Sequence, residues 1–176
     1  MQLTTHFSLE ALAESATAQR LGIDNSPPDE LISNAQRLAM GLEQVQTLLG
    51  FALHRNSGYR CEALEKILTA KDFAAWCAHH QKDVSTAWPE YFARKQHPKF
   101  EAEDFTCPEF GTPQHIVEKI AASNIQFDQL IEEGTWVHIS FSESPRLLRE
   151  VATFNNGVPS YSTTKNRLPN GSIIGA

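Results

Sequence analysis

From Leu31 to Leu49 apolar side chains recur at Leu31, Ala35, Leu38, Leu42, Val45 and Leu49. The steps alternate between four and three residues, which lines them along one face of an α-helix. Asp29 and Glu30 put acids in its first turn, where the helix dipole favours them, and Gly50 supplies the stop. An amphipathic helix of this length holds its shape chiefly by burying its stripe, so the stripe reads as core and the rest of the chain must cover it.

The remaining elements lie on both sides of that helix. Ser8 to Arg20 reads as one helix, ended by the run Ile23-Asp24-Asn25-Ser26-Pro27-Pro28. Phe51 to His54 reads as a short strand, and Cys61 to Ala70 as a helix. Lys71 to Lys95 is rich in aromatics and reads as two helical pieces, one holding Trp76 and one starting near Ser85. Glu101 to Phe105 reads as a strand. Thr112 followed by Pro113 is an N-cap with proline at the first helical position, leading a helix to about Ser123. Phe127 to Glu133 and Trp136 to Phe141 read as two strands joined at Gly134. After Asn155 the chain is dominated by Asn, Gly, Ser, Thr and Pro and reads as a loose tail over 155–176. Helices preceding a group of strands indicate an α+β domain over 1–154, a small antiparallel sheet with helices packed on it.

Charge narrows the function classes. With 15 Lys+Arg against 21 Asp+Glu the net charge is −6, which argues against a nucleic-acid partner and against capture by an anionic membrane. No apolar run is long enough to span a bilayer, and the start Met1-Gln2-Leu3-Thr4-Thr5-His6 lacks the pattern of a secretory signal. A cytoplasmic location without a signal peptide is therefore expected. Cysteines number three, an odd count at irregular spacing, so a disulfide framework is not expected. Nothing in the sequence calls for more than a monomer.

Among the histidines, His97 has Asp104 seven positions on, and His138 sits in the apolar strand Trp136-Val137-His138-Ile139-Ser140. Two histidines and one carboxylate make a three-ligand catalytic zinc set with one position left for water. The competing reading is a solvated His97 and a hydrogen-bonded core His138, and spacing alone leaves both open. Cys77-Ala78-His79-His80 is a weaker candidate, because neighbours on a helix diverge by about 100°. Cys61 and Cys107 read as packing, and His54 and His115 as structural or surface residues.

Several stretches resemble one family in order and register. They are Thr5-His6-Phe7-Ser8-Leu9-Glu10, Thr17 to Asn25, Ser57-Gly58-Tyr59-Arg60, His97 to Asp104, Phe127-Asp128-Gln129-Leu130-Ile131 and Trp136 to Ser140. The family is the zinc D-alanyl-D-alanine carboxypeptidase and L-alanyl-D-glutamate endopeptidase group of bacteria and phages, whose fold is shared with the hedgehog signalling domain. The resemblance covers Leu3 to Ser142. It implies Zn2+ held by His97, Asp104 and His138, and a peptidoglycan stem peptide as substrate. It implies that Arg60 meets the substrate's carbonyl or carboxylate, a task suited to a planar five-donor fork. It implies a glutamate as general base, best matched by Glu133 with Glu132 as rival; Thr135 occupies the position three before His138. A phage lysis enzyme or virion component fits the absence of a signal. The alternative is a catalytically impaired zinc module that binds peptidoglycan or serves in a phage structure.

The chain departs from the family pattern near the first ligand. The family's glycine is Phe100, a small residue is Glu103, and a serine is Lys95. Glycine there permits a positive φ that phenylalanine does not adopt freely, so either the loop runs differently or the site is impaired. Glu103 is expected to face away from Asp104 on an extended strand. The interval from Arg60 to His97 is longer than usual, a helical insertion at about 68–94. Its aromatics are read either as plain packing or as a wall beside a cleft.

Overall fold

The computed structural model describes residues 1–164, together with the backbone of 166–167 and 173–174. Ser8 and Ser15 each accept the backbone N–H three residues on at 3.2 Å, and so cap two short helices, α1 (Leu9–Ala13) and α2 (Ala16–Leu21). The single helix expected over Ser8–Arg20 is thus broken at Glu14-Ser15, because Ser15 starts a new helix instead of continuing the first. A 3-10 turn at Asp29–Leu31 leads into α3 (Ile32–Leu49), which ends at Gly50 with φ 77. Ala35, Leu38, Leu42 and Val45 of the stripe are 0% exposed.

β1 (His54–Ser57) begins where the expected strand Phe51–His54 would end. Phe51 and Ala52 are exposed and precede the ladder. There follow α4 (Glu62–Leu68), α5 (Ala70–His80), α6 (Trp88–Phe92), β2 (Ala102–Thr106) and α7 (Pro113–Ala121). Thr112 caps α7 by accepting the His115 N–H, as its pairing with Pro113 implied. β3 (Gln129–Glu132) and β4 (Val137–Ser140) form the expected antiparallel pair, turning through Gly134 at φ 73.

β5 (Leu148–Asn155) and β6 (Val158–Thr163) then extend the sheet, giving the order β1-β2-β4-β3-β5-β6. Every neighbouring pair is antiparallel except β3 with β5, which is parallel. The α+β class stands. The small antiparallel sheet is corrected to a six-stranded mixed one. The expected loose tail is corrected too, since residues 158–163 are strand. Asn156 and Gly157 both have positive φ, 52 and 81, and close a two-residue hairpin turn between the paired Asn155 and Val158. Asn and Gly made this stretch look loose, yet Asn-Gly is the pair such a turn requires. Beyond it, Asn166–Arg167 pairs with Ile173–Ile174, and the rest of the expected tail lies outside the described residues.

The two faces of the sheet differ. On one face Phe105, Leu130, Val137, Ile139 and Phe141 meet Leu38, Leu42 and Val45 of α3 and Ile116, Val117 and Ile120 of α7. Gly41 lets α3 approach closely, because a Cβ there would lie 2.4 Å from the Phe141 ring. The opposite face, carrying the alternate residues of β2, β3 and β4, lines a cleft. One wall is the insertion. Its Phe73, Trp76, Trp88 and Tyr91 pack on one another at ring-centroid distances of 5.1 to 5.6 Å. These aromatics pack on one another as expected, and Trp76 and Tyr91 also line the cleft. The β5–β6 hairpin supplies Phe154 and Tyr161 to the lining. Among the described residues no helix is long and apolar enough to cross a membrane.

Candidate metal centre

Strand register places the site. Asp104 of β2 pairs with His138 of β4, which pairs on its other side with Ile131 of β3, while Ser57 of β1 lies opposite Asp104. Residues opposite one another across a sheet share a face, so Asp104 and His138 both point away from the apolar core. His97 reaches them from a 3-10 turn, His97–Lys99, just before β2. That turn closes at Phe100 with φ 57 and ψ 36, the left-handed conformation that glycine favours. The loop therefore keeps the path a glycine would take.

The left-handed backbone costs phenylalanine roughly 1–2 kcal/mol. Phe100 offsets this by complete burial and by a ring contact with Tyr59 at 5.0 Å between centroids. Phe100→Gly is expected to destabilise the protein all the same. Losing a buried phenylalanine costs about 3–5 kcal/mol, so the net loss in urea unfolding is about 1–4 kcal/mol.

His97, Asp104 and His138 are 6%, 7% and 7% exposed. The His97 Nδ1 lies 2.7 Å from the Gly58 carbonyl oxygen. A carbonyl only accepts, so Nδ1 carries the proton and Nε2 turns to Asp104, 3.4 Å from Oδ1. The same Oδ1 is 2.9 Å from the His138 Nδ1, and the His138 Nε2 is 3.1 Å from the Gln96 Oε1. One ligand atom from each of the three residues lies within 4.8 Å of the others.

This donor set suits a metal ion. Two donors on a tetrahedral zinc, each at about 2.0–2.1 Å, stand roughly 3.3 Å apart, close to the 3.4 and 2.9 Å found here. Three electron-rich atoms brought this close repel unless a proton or a cation lies among them. Burial raises the Asp104 carboxyl, but the groups around it outweigh this, and with Arg60 Nη2 donating to it at 2.6 Å it is held well below the usual range, as the ionised carboxylate a metal needs. Burial and then the Arg60 charge hold His97 below the ordinary histidine value, which keeps it neutral. The buried trio can bind a metal ion.

The other expected residues fall as follows. The Arg60 Nη2 donates to Asp104 Oδ2 at 2.6 Å, its Nε donates to Ser57 Oγ at 2.8 Å, and its Nη1 lies 3.6 Å from Glu65 Oε2. Glu65, 1% exposed, carried no sequence signal. Glu133, directly after β3, lines the cleft with Gln129 and Ile131, whereas Glu132 does not. Burial and the nearby Asp104 charge raise the Glu133 carboxyl above its ordinary value, against the pull of His138. Glu103 faces away from Asp104 as expected, and burial lifts its carboxyl well above the usual range. The Lys95 Nζ pairs with Asp72 at 2.8 Å, in the cleft wall. Cys61, Cys77 and Cys107 are free thiols, and among the described residues no second group of metal-ligating side chains gathers. The cleft above the trio holds about 1230 Å³.

Gly58 is required by close approach. A Cβ there would lie 2.2 Å from the Leu12 carbonyl oxygen and 2.5 Å from Glu103 Oε2. Gly58→Ala must shift backbone, and with it the carbonyl that holds His97. The expected result is a lower melting temperature and roughly 10–100-fold weaker metal binding in a chelator competition.

Spacing and motif reading missed Gln96, Glu65, and the pairing of Asp128 with Arg146. The Arg146 Nε and Nη2 donate to Asp128 at 2.9 and 2.6 Å. Burial pushes the Asp128 carboxyl up, but these donors outweigh it and the net direction is down. A carboxyl that titrates lower in the folded than in the unfolded chain contributes fully above the unfolded value, about 3.9, and loses that contribution as pH falls through the folded value. Arg146 is 56% exposed, so water screens part of the effect. Asp128→Asn is expected to cost about 1.5 kcal/mol at pH 7, with the gap to wild type closing below pH ~4 in urea titrations.

No protein-family model, curated protein or solved structure matches the chain.

Proposed function

We propose that this chain is a zinc peptidase that cuts peptide bonds in peptidoglycan stem peptides. The observation that carries the reading is the convergence of His97, Asp104 and His138 on the floor of a cleft that Glu133 also lines. The substrate class and the choice of zinc rest on the motif resemblance, together with a donor set of two imidazoles and one carboxylate. When bound, zinc supplies a positive centre that polarises a carbonyl and makes water more acidic.

The chain's own residues supply the rest. Glu133 takes the proton of the attacking water and returns it to the leaving amine. Arg60 sits beside Asp104, where its charge favours a carboxylate or a developing oxyanion. The aromatic walls limit the water that reaches the floor and give the peptide apolar surface to lie on. Purified peptidoglycan incubated with the protein should release new amino termini or free D-alanine, and a chelator should stop it. Walls of several chemotypes that yield no chelator-sensitive product would overturn the reading.

One observation favours a second reading, a zinc module that binds wall peptide without cutting it. Arg60 spends its fork on Ser57, Asp104 and Glu65. A wall pull-down with retention and no cleavage would select this alternative.

A further inference from the structure

We propose that Gln96 sets the tautomer of His138, and that Asp128 with Arg146 sets the orientation of Gln96, so that the His138 nitrogen facing Asp104 is the one with a free lone pair. The proposal rests on the reading of the buried trio as a metal centre, and concerns how the chain prepares one ligand for it.

The argument starts at Asp128, which is 4% exposed. Its oxygens receive the backbone N–H of Arg146 at 3.1 Å, the Arg146 Nε at 2.9 Å and the Arg146 Nη2 at 2.6 Å. All three groups can only donate, so Asp128 serves as a pure acceptor. The Gln96 side chain meets it at 2.6 Å. An amide has one donating end and one accepting end, and only the NH2 end suits a carboxylate at that distance. The amide carbonyl must then face the other way, onto the His138 Nε2 at 3.1 Å. Facing an acceptor, Nε2 carries the proton, which leaves the lone pair on Nδ1, 2.9 Å from Asp104 Oδ1.

The device is needed because Asp104 pulls the other way. A carboxylate beside Nδ1 draws the ring proton to Nδ1, which would block that nitrogen as a ligand. Gln96 opposes this with a carbonyl that cannot turn over without setting its oxygen against Asp128. His97 has the matching arrangement through the Gly58 carbonyl, with the nitrogens exchanged. Gln96 is thus a positioning residue, acting through His138.

The test uses the full chain with 15N-labelled histidine, metal-free at pH 8.5, and a long-range 1H–15N correlation on His138. Wild type should show the proton on Nε2, and in Gln96→Met it should move to Nδ1. Zinc affinity from competition with a chromogenic chelator should weaken roughly 10–100-fold in Gln96→Met. Combining Gln96→Glu with Asp128→Asn keeps an acceptor facing Nε2 and lets the new amide donate to the new carboxylate, while the half-exposed Arg146 side chain moves its Nη2 off the new amide nitrogen. That double variant should return affinity to within about threefold of wild type, whereas Gln96→Glu alone sets two carboxylates against each other and should not. A wild-type ring protonated on Nδ1 or on both nitrogens, or a Gln96→Met ring unchanged from wild type, overturns the proposal. A wild-type protein that binds no zinc overturns the metal-centre reading instead, and the ring-proton measurement still decides the role of Gln96.

Discussion

Glu133→Gln is expected to lower kcat/KM on a peptidoglycan substrate by a factor of about 10²–10⁴, the usual worth of a positioned general base. Zinc content should not change, because Glu133 is not among the three residues that gather where a metal ion could be held. The isosteric amide fills the same space and cannot take a proton. Glu132→Gln is the internal control. It follows Ile131 on the same strand but turns away from the cleft, so its activity should stay within about twofold of wild type. Equal losses in the two variants, or a Glu133→Gln enzyme of full activity, would remove Glu133 from the chemistry.

His138→Ala should lose the metal outright. Removing an outer partner of a metal site costs roughly 10–100-fold in affinity, and removing a ligand costs more. Elemental analysis after dialysis should find wild type loaded and the variant empty. The helices form away from His138, so the far-UV circular dichroism of the variant should be close to wild type. A second readout is thermal. Zinc at 100 times its Kd should stabilise wild type by about 2.7 kcal/mol through mass action and leave the variant unmoved. Full zinc occupancy in His138→Ala would contradict the ligand assignment.

Much of the local structure was legible in the residues. The α3 stripe, the Thr112-Pro113 cap and the strands either side of Gly134 each depend on neighbours a few positions apart. Where the structure departs from the local pattern, a competing local signal prevails. Ser15 caps a new helix within a pattern that reads as continuous, and Asn156-Gly157 builds a hairpin turn within a stretch that reads as loose. Phe100 is the instructive case. Residue preference argues against a left-handed backbone there, yet burial of the ring in the core outweighs that cost.

Motif order singles out the trio, but the sequence leaves open whether its members meet. Asp104 and His138 are 34 positions apart, and they face each other only because β2 and β4 pair in one register; a slip of one residue would turn either side chain into the core. The choice of Glu133 over Glu132 turns on the same two-residue alternation. Gln96, Gly58 and Asp128 acquire their roles through contacts spanning 32 to 42 positions, for which no periodicity exists to be read. Periodicity, caps and turns are properties of a few consecutive residues and so travel with the chain. Which lone pair faces which proton depends on strands and loops brought together by burial of the shared core, and exists only once that core has closed.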